Sequence, residues 1–588
     1  MPMPDISRRQ LLRSAGAAAL AATAAASGAV SSAATAASSA ATSGSAALGR
    51  VVRRGTTLAA TIGKGTPNAQ GYVELVAGPG EAHKVRKLAG AKAGVKRAKK
   101  RKGLLAFAQL SDVHITDAQS PLRVEWVDRW DDEDTQGGPT GQLASSYRAH
   151  EMLAAHIADS MVRQINSIGT GPVTGKPLAL AVQTGDNSDN SQYNEIRWNI
   201  DVLDGAEVRA DSGDPEKWEG VHDLDPDHYD IHYWHPDGTP AGAEPDRPHA
   251  KWGFPDAPGL LDAARRPFQA EGLKMPWISA FGNHDGLVQG NFLHAIDGLN
   301  EFAVGDRKAI VPPEGVTKVE VLGALLARGE AVSRLLKRIA EAPNTRTVTP
   351  DEDRRLLSRA EVVAEHFETT SKPVGHGFTE ENKAAGTAYY AYTRGKIRFV
   401  VLDTVNTVSG GQYGYIDPAQ LTWLRATLKQ AKKAKKYVVI CSHHPLSSFS
   451  DKQLAAKLES VLLANPVVIA WVNGHTHTNH VWAHPKTTVK GKNKGRGYWE
   501  INTASHIDWP QQSRLIEVAD NKDGTLSIFT TMVDHGGPVS PSSDLADTHA
   551  LASLGRELAA NDWHEKAEDR RGKLMDRNVE LLLKNPLR

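Results

Sequence analysis

The chain has 588 residues, 40% hydrophobic and 23% charged, with 69 Lys and Arg against 68 Asp and Glu for a net charge of +1. Such a chain can bury a large globular core, and its balanced charge excludes a whole-molecule field of the kind that draws long nucleic acid or a membrane surface. The single cysteine, Cys441, excludes an intrachain disulfide, and no run after residue 50 approaches the eighteen or so apolar residues of a spanning helix.

At the N-terminus, Ser7-Arg8-Arg9-Gln10-Leu11-Leu12 precedes an alanine-rich run to about Val30 with small-residue sites such as Ala24-Ala25-Ala26-Ser27. This resembles a twin-arginine export signal. Residues 1–50 are therefore expected to be signal and disordered tether, with the twin-arginine machinery as a partner. The destination is then the periplasm, the cell envelope or the medium. Residues 51–103 form an N-terminal extension whose stretch from Lys84 to Lys102 is basic with no acid in it. It reads as a solvated face, with attraction to an anionic cell-envelope polymer as the alternative.

A single α/β domain is expected over 104–535. Leu104 to Leu110 is a buried-strand run ending in Ser111-Asp112-Val113-His114, a helix follows around His150 to Ile168, and Leu178 to Thr184 ends in Gly185-Asp186. An insertion at 190–275 follows. Its His222 to Gly238 stretch alternates acids as a calcium loop does but lacks the glycine and distal glutamate, so a structured lid is expected instead. Pro276 to Phe281 is a third run, ending in Gly282-Asn283-His284-Asp285. In a second insertion, 286–387, helices are expected over Val319 to Ala340 and Pro350 to Thr369, the latter with Thr349 as N-cap. A hairpin at 389–402 ends at Asp403, which reads as structural. A helix near Pro418 to Ala434 leads to Tyr437 to Cys441, ending in Ser442-His443-His444-Pro445, and Val467 to Val472 ends in Asn473-Gly474-His475-Thr476-His477. Further strands are expected at 497–502, 514–518 and 526–531, and residues 536–588 are expected to be a helical C-terminal segment.

Five of these runs hand over from apolar strand to metal-ligand side chains. One such handover is an ordinary cap or turn. Five point to a common rim, because the carboxyl ends of parallel strands open on the crevice of an α/β sheet. Asp112, His114, Asp186, Asn283, His443, His475 and His477 together offer carboxylate, imidazole and carboxamide donors without a thiolate, which suits Mn, Fe or Zn. Seven donors exceed the needs of one tetrahedral ion and suit two ions about 3.5 to 4 Å apart.

In order and spacing, Asp112-Val113-His114, Gly185-Asp186, Gly282-Asn283-His284-Asp285, His443-His444-Pro445 and Gly474-His475-Thr476-His477 resemble the calcineurin-like metallophosphoesterase superfamily, in its exported bacterial branch. The resemblance implies a four-layer αββα sandwich, two mixed sheets flanked by helices. It implies that Asp112, His114 and His477 hold one divalent or trivalent ion, that Asn283, His443 and His475 hold the other, and that Asp186 bridges them. Ligands in that family stand two residues before the proline, which favours His443 over His444. His284 matches the histidine that assists the leaving group, while a metal-bridged hydroxide attacks a phosphomonoester or phosphodiester. Asp189 matches the carboxylate that orients this histidine in some relatives, with a plain turn role as the alternative. Asp189 also stands where purple acid phosphatases carry a tyrosine ligand. Asn190 and Asp285 depart from the protein serine/threonine phosphatases.

The expected substrate is thus a small phosphorylated molecule. An extracellular nucleotidase or nuclease is a second reading, though no extended basic stripe supports long nucleic acid. A non-catalytic envelope-binding protein that keeps its metal site is a third. Tyr193, Trp234, His376, His506, Asp508 and Trp509 lie near motif ends or in the insertions, and packing is the expected role for each before substrate contact.

Overall fold

Apolar runs too short for helices build two mixed sheets. The computed structural model describes residues 54–588 except 133–140, 142, 291–295, 297, 328–329, 407–410, 488–491 and 565–568. The export signal and tether expected over 1–50 lie outside the described residues. In chain order, β1 (Lys84–Lys87), β2 (Lys102–Leu110), β3 (Leu178–Gln183) and β4 (Trp277–Ser279) enter one sheet. The second sheet is made of β5 (Tyr390–Arg394), β6 (Ile397–Val401), β7 (Tyr437–Cys441), β8 (Val468–Asn473), β9 (His480–Pro485) and β10 (Gly497–Asn502). The chain then returns to the first sheet with β11 (Gln512–Asp520), β12 (Thr525–Asp534) and β13 (Val579–Lys584).

The first sheet has the order β1-β13-β12-β11-β2-β3-β4, and the second β5-β6-β7-β8-β10-β9. Parallel pairing links β2, β3 and β4, and likewise β6, β7, β8 and β10. All five handovers seen in the sequence therefore sit at carboxyl ends of parallel strands.

Burial on both faces explains why these strands read as unbroken apolar runs. Along β6, Ile397, Phe399 and Val401 join the core shared with the first sheet, whereas Val400 and the following Leu402 join a second cluster. That alternation is the two-residue period of a strand. Phe107 of β2 meets Phe399 edge-on, ring centroids 5.2 Å apart, where the sheets face each other. Helices α1 (Ala154–Ile168) and α2 (Tyr193–Asp204) bury Met161, Ile165, Ile196 and Ile200 with the first sheet's core. On the far side, α3 (Pro418–Lys433) and α4 (Lys452–Ala464) bury Leu424, Leu428 and Leu458 against β7 and β8. The α3 start is sharp because Asp417 accepts from Gln420 N and Pro418 occupies the first turn. The result is the four-layer αββα arrangement.

Three expectations are corrected. No continuous helix opens at Pro350. A short 3-10 turn at Glu352–Arg354 is followed by a helix at Arg359–Glu365, because Ser358 and Glu361 form a reciprocal capping box that sets a later start. The C-terminal stretch holds one helix, α5 (Thr548–Ala560), but ends in β13, whose Val579, Leu581 and Leu583 alternate into the core. The 222–238 stretch is no lid: Val221, Tyr233 and Trp234 pack with Trp252, Phe254 and Leu558 in a separate apolar cluster. In the basic run, strand β1 and a short helical turn bring Arg86 to Asp576 at 3.2 Å, and Arg97 and Arg101 to Glu580 at 2.7 and 3.5 Å. The seven lysines of the run are exposed, so it forms a largely solvated face, as expected.

Candidate metal centre

Ladder hydrogen bonds carry on past the strand ends and so fix the loops that follow them. Asp112 N donates to Gly185 O at 3.1 Å, His114 N to Asp186 O at 3.0 Å, and Gly474 N to His443 O at 3.0 Å. Gln109 ties the two sheets beneath the rim, its Nε2 donating to Asn473 O at 2.9 Å and its Oε1 accepting from Thr503 at 2.8 Å. Asp285 ties β3 to β4, accepting from Asn187 N at 2.8 Å, Ser188 N at 3.0 Å and Gly282 N at 2.8 Å. Burial accordingly pushes its carboxyl up to about 7, and the nearby Asp186 charge adds to the rise.

Two glycines are required by close approach. A Cβ on Gly282 would collide with the Asp186 backbone nitrogen, and one on Gly474 with Ser111 Oγ and Asp112 Oδ2. Asp112, His114, Asp186, His475 and His477 all have left-handed backbone, with φ of 51°, 49°, 51°, 73° and 53°. Non-glycine residues avoid that region at a cost of about 1–3 kcal/mol each, and such strain collects at functional sites.

These loops bring all seven candidate ligands together. His477 Nε2 lies 3.3 Å from Asp112 Oδ1 and 3.2 Å from His114 Nε2. His475 Nδ1 lies 3.2 Å from both His443 Nε2 and Asn283 Oδ1. Between these two groups, Asp186 Oδ2 is 2.9 Å from His443 Nε2 and 3.8 Å from His114 Nε2. The arrangement places a shared carboxylate between two half-sites. His444, the alternative to His443, turns Nδ1 to Thr404 Oγ1 at 3.0 Å, and its buried Nε2 has no partner among the described residues. It is near His475, yet His443 is the one in contact with Asp186.

The donor chemistry fits metal ions. His114 turns Nδ1 to Asp189 at 2.8 Å, His443 Nδ1 to Thr184 O at 3.0 Å, and His477 Nδ1 to Asp508 at 2.5 Å. Each outer acceptor fixes the tautomer and aims the Nε2 lone pair inward, as outer partners of metal-binding histidines do. Within each half-site two imidazole nitrogens face each other, an arrangement that requires a proton or a cation between them.

Charge in the cluster follows the same division. Burial raises the Asp186 carboxyl, but His443, His284 and His114 overcome this and hold it well below the usual range. Burial opposes the charged form of His443, yet Asp186 lifts it to about 9, and Asp508 and Asp112 lift His477 to about 9 against the same penalty. Burial and the His443 charge hold His475 down to about 3, and burial with His284 lowers His114.

His284 and Asp189 adjoin this set. His284 N donates to Asp186 Oδ1 at 2.8 Å, and His284 Nδ1 lies 2.8 Å from Asp189 Oδ1. Asp189 is therefore shared by His114 and His284, which is more than a turn role. A cleft of about 330 Å³ opens above, lined by His284, Asn283, Gln289, Gln412, Arg148 and Arg570, with Val124, Val127, Leu143 and Val321 as an apolar wall.

Of the six residues expected mainly to pack, five do so. Trp234 and Trp509 are core, Tyr193 lies under Arg355, and His376 stacks on Trp277 at 3.5 Å. His506 bonds Ser513 at 2.9 Å. Asp508 differs, since it joins His477 to Arg148 Nε at 2.6 Å. Sequence reasoning missed Arg123, Glu151, Arg148 and Arg570. Arginines in mid-loop carry no local signal, and their partners lie tens to hundreds of residues away. Asp403 pairs with Arg359 at 2.7 Å and is structural, as expected.

No protein-family model matches the chain, and no curated protein matches it in sequence. Among solved structures it is similar to a dimetal phosphatase from Danio rerio, with 13% identity, TM-score 0.30, and coverage of 74% of this chain and all of that one. It is also similar to a 5'-nucleotidase from Candida albicans SC5314, with 10% identity, TM-score 0.25, and coverage of 80% of this chain and 59% of that one. Likenesses this distant carry nothing about chemistry, which must come from the side chains.

Proposed function

We propose that the chain is a metal-dependent phosphoesterase with a dinuclear centre, a member of the calcineurin-like superfamily exported by the twin-arginine route. One observation carries the hydrolase reading: Asp186 reaches into both half-sites, at 2.9 Å from His443 and 3.8 Å from His114. Asp112, His114 and His477 would hold one ion, and Asn283, His443 and His475 the other. Bound there, a pair of Mn, Fe or Zn ions supplies Lewis acidity, activating water and neutralising phosphoryl charge.

The chain's own residues do the rest. Asp189 accepts from His284 Nδ1–H and supports the doubly protonated ring, whose Nε2–H then gives its proton to a departing alkoxide at the cleft and leaves a neutral imidazole. Arg148 and Arg570 line the same cleft and complement a phosphoryl anion. The apolar wall at Val124, Val127 and Val321 accommodates a non-polar leaving group and limits water beside it. Export is supported by Ser7-Arg8-Arg9-Gln10-Leu11-Leu12 alone.

The test is hydrolysis of an aryl phosphate and a bis-aryl phosphate by purified protein loaded with Mn or Zn. Activity that a chelator removes, that metal restores and that Asp186→Asn abolishes is the expected result. Metal bound at full stoichiometry with neither ester cleaved would sink the reading.

A further inference from the structure

Away from this centre, the 3-10 segment Glu125–Asp131 and the chain around Trp563 enclose a second set of donors. Asp128, Asp132 and His564 each offer one ligand atom, and the three atoms lie within 4.8 Å of one another. His564 Nε2 stands 3.0 Å from Asp128 Oδ2 and 3.8 Å from Asp132 Oδ1. Bonds of about 2.0–2.2 Å to a first-row ion place neighbouring ligand atoms roughly 3 to 4 Å apart.

An independent observation concerns the other oxygen of the same carboxylate. Asp128 is only 3% exposed, and its buried Oδ1 has no hydrogen-bond donor among the described residues. A buried acceptor left unmade costs about 1–3 kcal/mol, and more when it is charged. Asp132, by contrast, is fixed from outside. The Trp563 indole donates to its Oδ1 at 3.0 Å, and Arg247 Nη1 lies 3.3 Å from its Oδ2. Trp563 in turn stacks on Trp252, ring centroids 4.3 Å apart and planes 3° from parallel. Outer donors of this kind orient metal-binding carboxylates.

We propose that Asp128, Asp132 and His564 form a separate cation site, one that takes a divalent first-row ion such as Zn²⁺ or Mn²⁺. One imidazole and two carboxylates suit those ions, with water completing the shell. The site clasps the chain after Trp563 to the 125–131 segment. Val127, next to Asp128 in the chain, is one of the residues that line the cleft. The cation site goes beyond the hydrolase reading and does not depend on it.

The experiment counts metal per chain in full-length protein loaded with Mn or Zn and desalted. Wild type is compared with Asp128→Asn, His564→Gln and, for the other centre, Asp186→Asn. Asp128→Asn and His564→Gln are each expected to hold one ion fewer than wild type. Both are also expected to retain aryl phosphate hydrolysis within a few-fold at saturating substrate. Anomalous scattering from crystals of Mn- or Zn-loaded wild type is expected to show a peak within bonding distance of His564 Nε2 and the Asp128 carboxylate. That readout decides the matter if a variant misfolds. Wild-type ion counts in both variants, or no anomalous peak at His564 in the loaded crystals, would overturn the site. Neither result bears on Asp186.

Discussion

Arg123 Nη1 lies 2.5 Å from Asp189 Oδ2, and neither side chain is more than 1% exposed. The same guanidinium reaches Glu151, Nε to Oε1 at 2.9 Å and Nη2 to Oε2 at 2.5 Å. Burial opposes its charge, but Glu151 and Asp189 raise it beyond its ordinary value, so the group stays ionised. It fixes one oxygen of Asp189 and leaves the other to His114 and His284.

Replacing Arg123 by Met is therefore expected to destabilise the fold by about 3–5 kcal/mol, because two buried carboxylates lose their counter-charge. Arg123→Lys is expected to restore part of the charge and little of the fork geometry. Denaturant unfolding of the three proteins gives the ranking. A Met variant as stable as wild type would remove Arg123 from this role.

His284→Ala is expected to lower kcat by roughly a hundred- to ten-thousand-fold while leaving metal content unchanged. The ring touches Asp189 and the cleft, and it is not among the seven proposed ligands. The loss should grow as the leaving group becomes more basic, and a series of aryl and alkyl phosphates measures that slope. An equal loss for every ester would argue against proton delivery by His284.

Gly474→Ala is expected to displace Asp112 and weaken metal binding, since the added methyl group meets Ser111 Oγ and Asp112 Oδ2. Forcing a group into packed surroundings costs about 1–3 kcal/mol. Metal titration of the variant, with circular dichroism to check the fold, tests this. Unchanged affinity would mean the loop yields freely.

The strands and the convergence of the candidate ligands were legible because each run is apolar on both faces and stops at a glycine or a small polar residue before its donor. Tyr437–Cys441 has the bounds expected of it, since all five residues are buried. Residues 350–369 were misread because Pro350 with two following acids imitates a helix start, while Ser358 and Glu361, the pair that makes one, lie a turn and more further on. Strand β13 was hidden in a charged stretch whose alternation spans only six residues. Asp508 and Arg123 were illegible for a different reason, since the contacts that give them roles span 31 and 66 residues.

Cys441 is fully buried in β7, and burial raises its thiol above the ordinary range. A thiol reagent is expected to leave the native chain unmodified and to label one site per chain once denaturant unfolds it. Rapid labelling of the folded protein would contradict the packing of β7.

His156 sets part of the acid limit of stability. It lies in α1 with its ring 4.7 Å from Phe268, and its buried Nδ1 has no partner among the described residues. Burial, with the Arg266 charge adding to it, lowers the imidazole from 6.5 to about 3. Because the folded pKa lies below the unfolded one, the unfolded chain takes up the proton first. The stability contributed by the neutral ring is therefore complete above about 6.5 and is lost as pH falls towards 3. At pH 5 this single group costs about 2 kcal/mol relative to pH 7.5. In His156→Leu that increment is absent, so denaturation midpoints between pH 7.5 and 5 should fall less steeply than in wild type. Identical slopes in the two proteins would show that His156 is already protonated, or reached by water, in the native state.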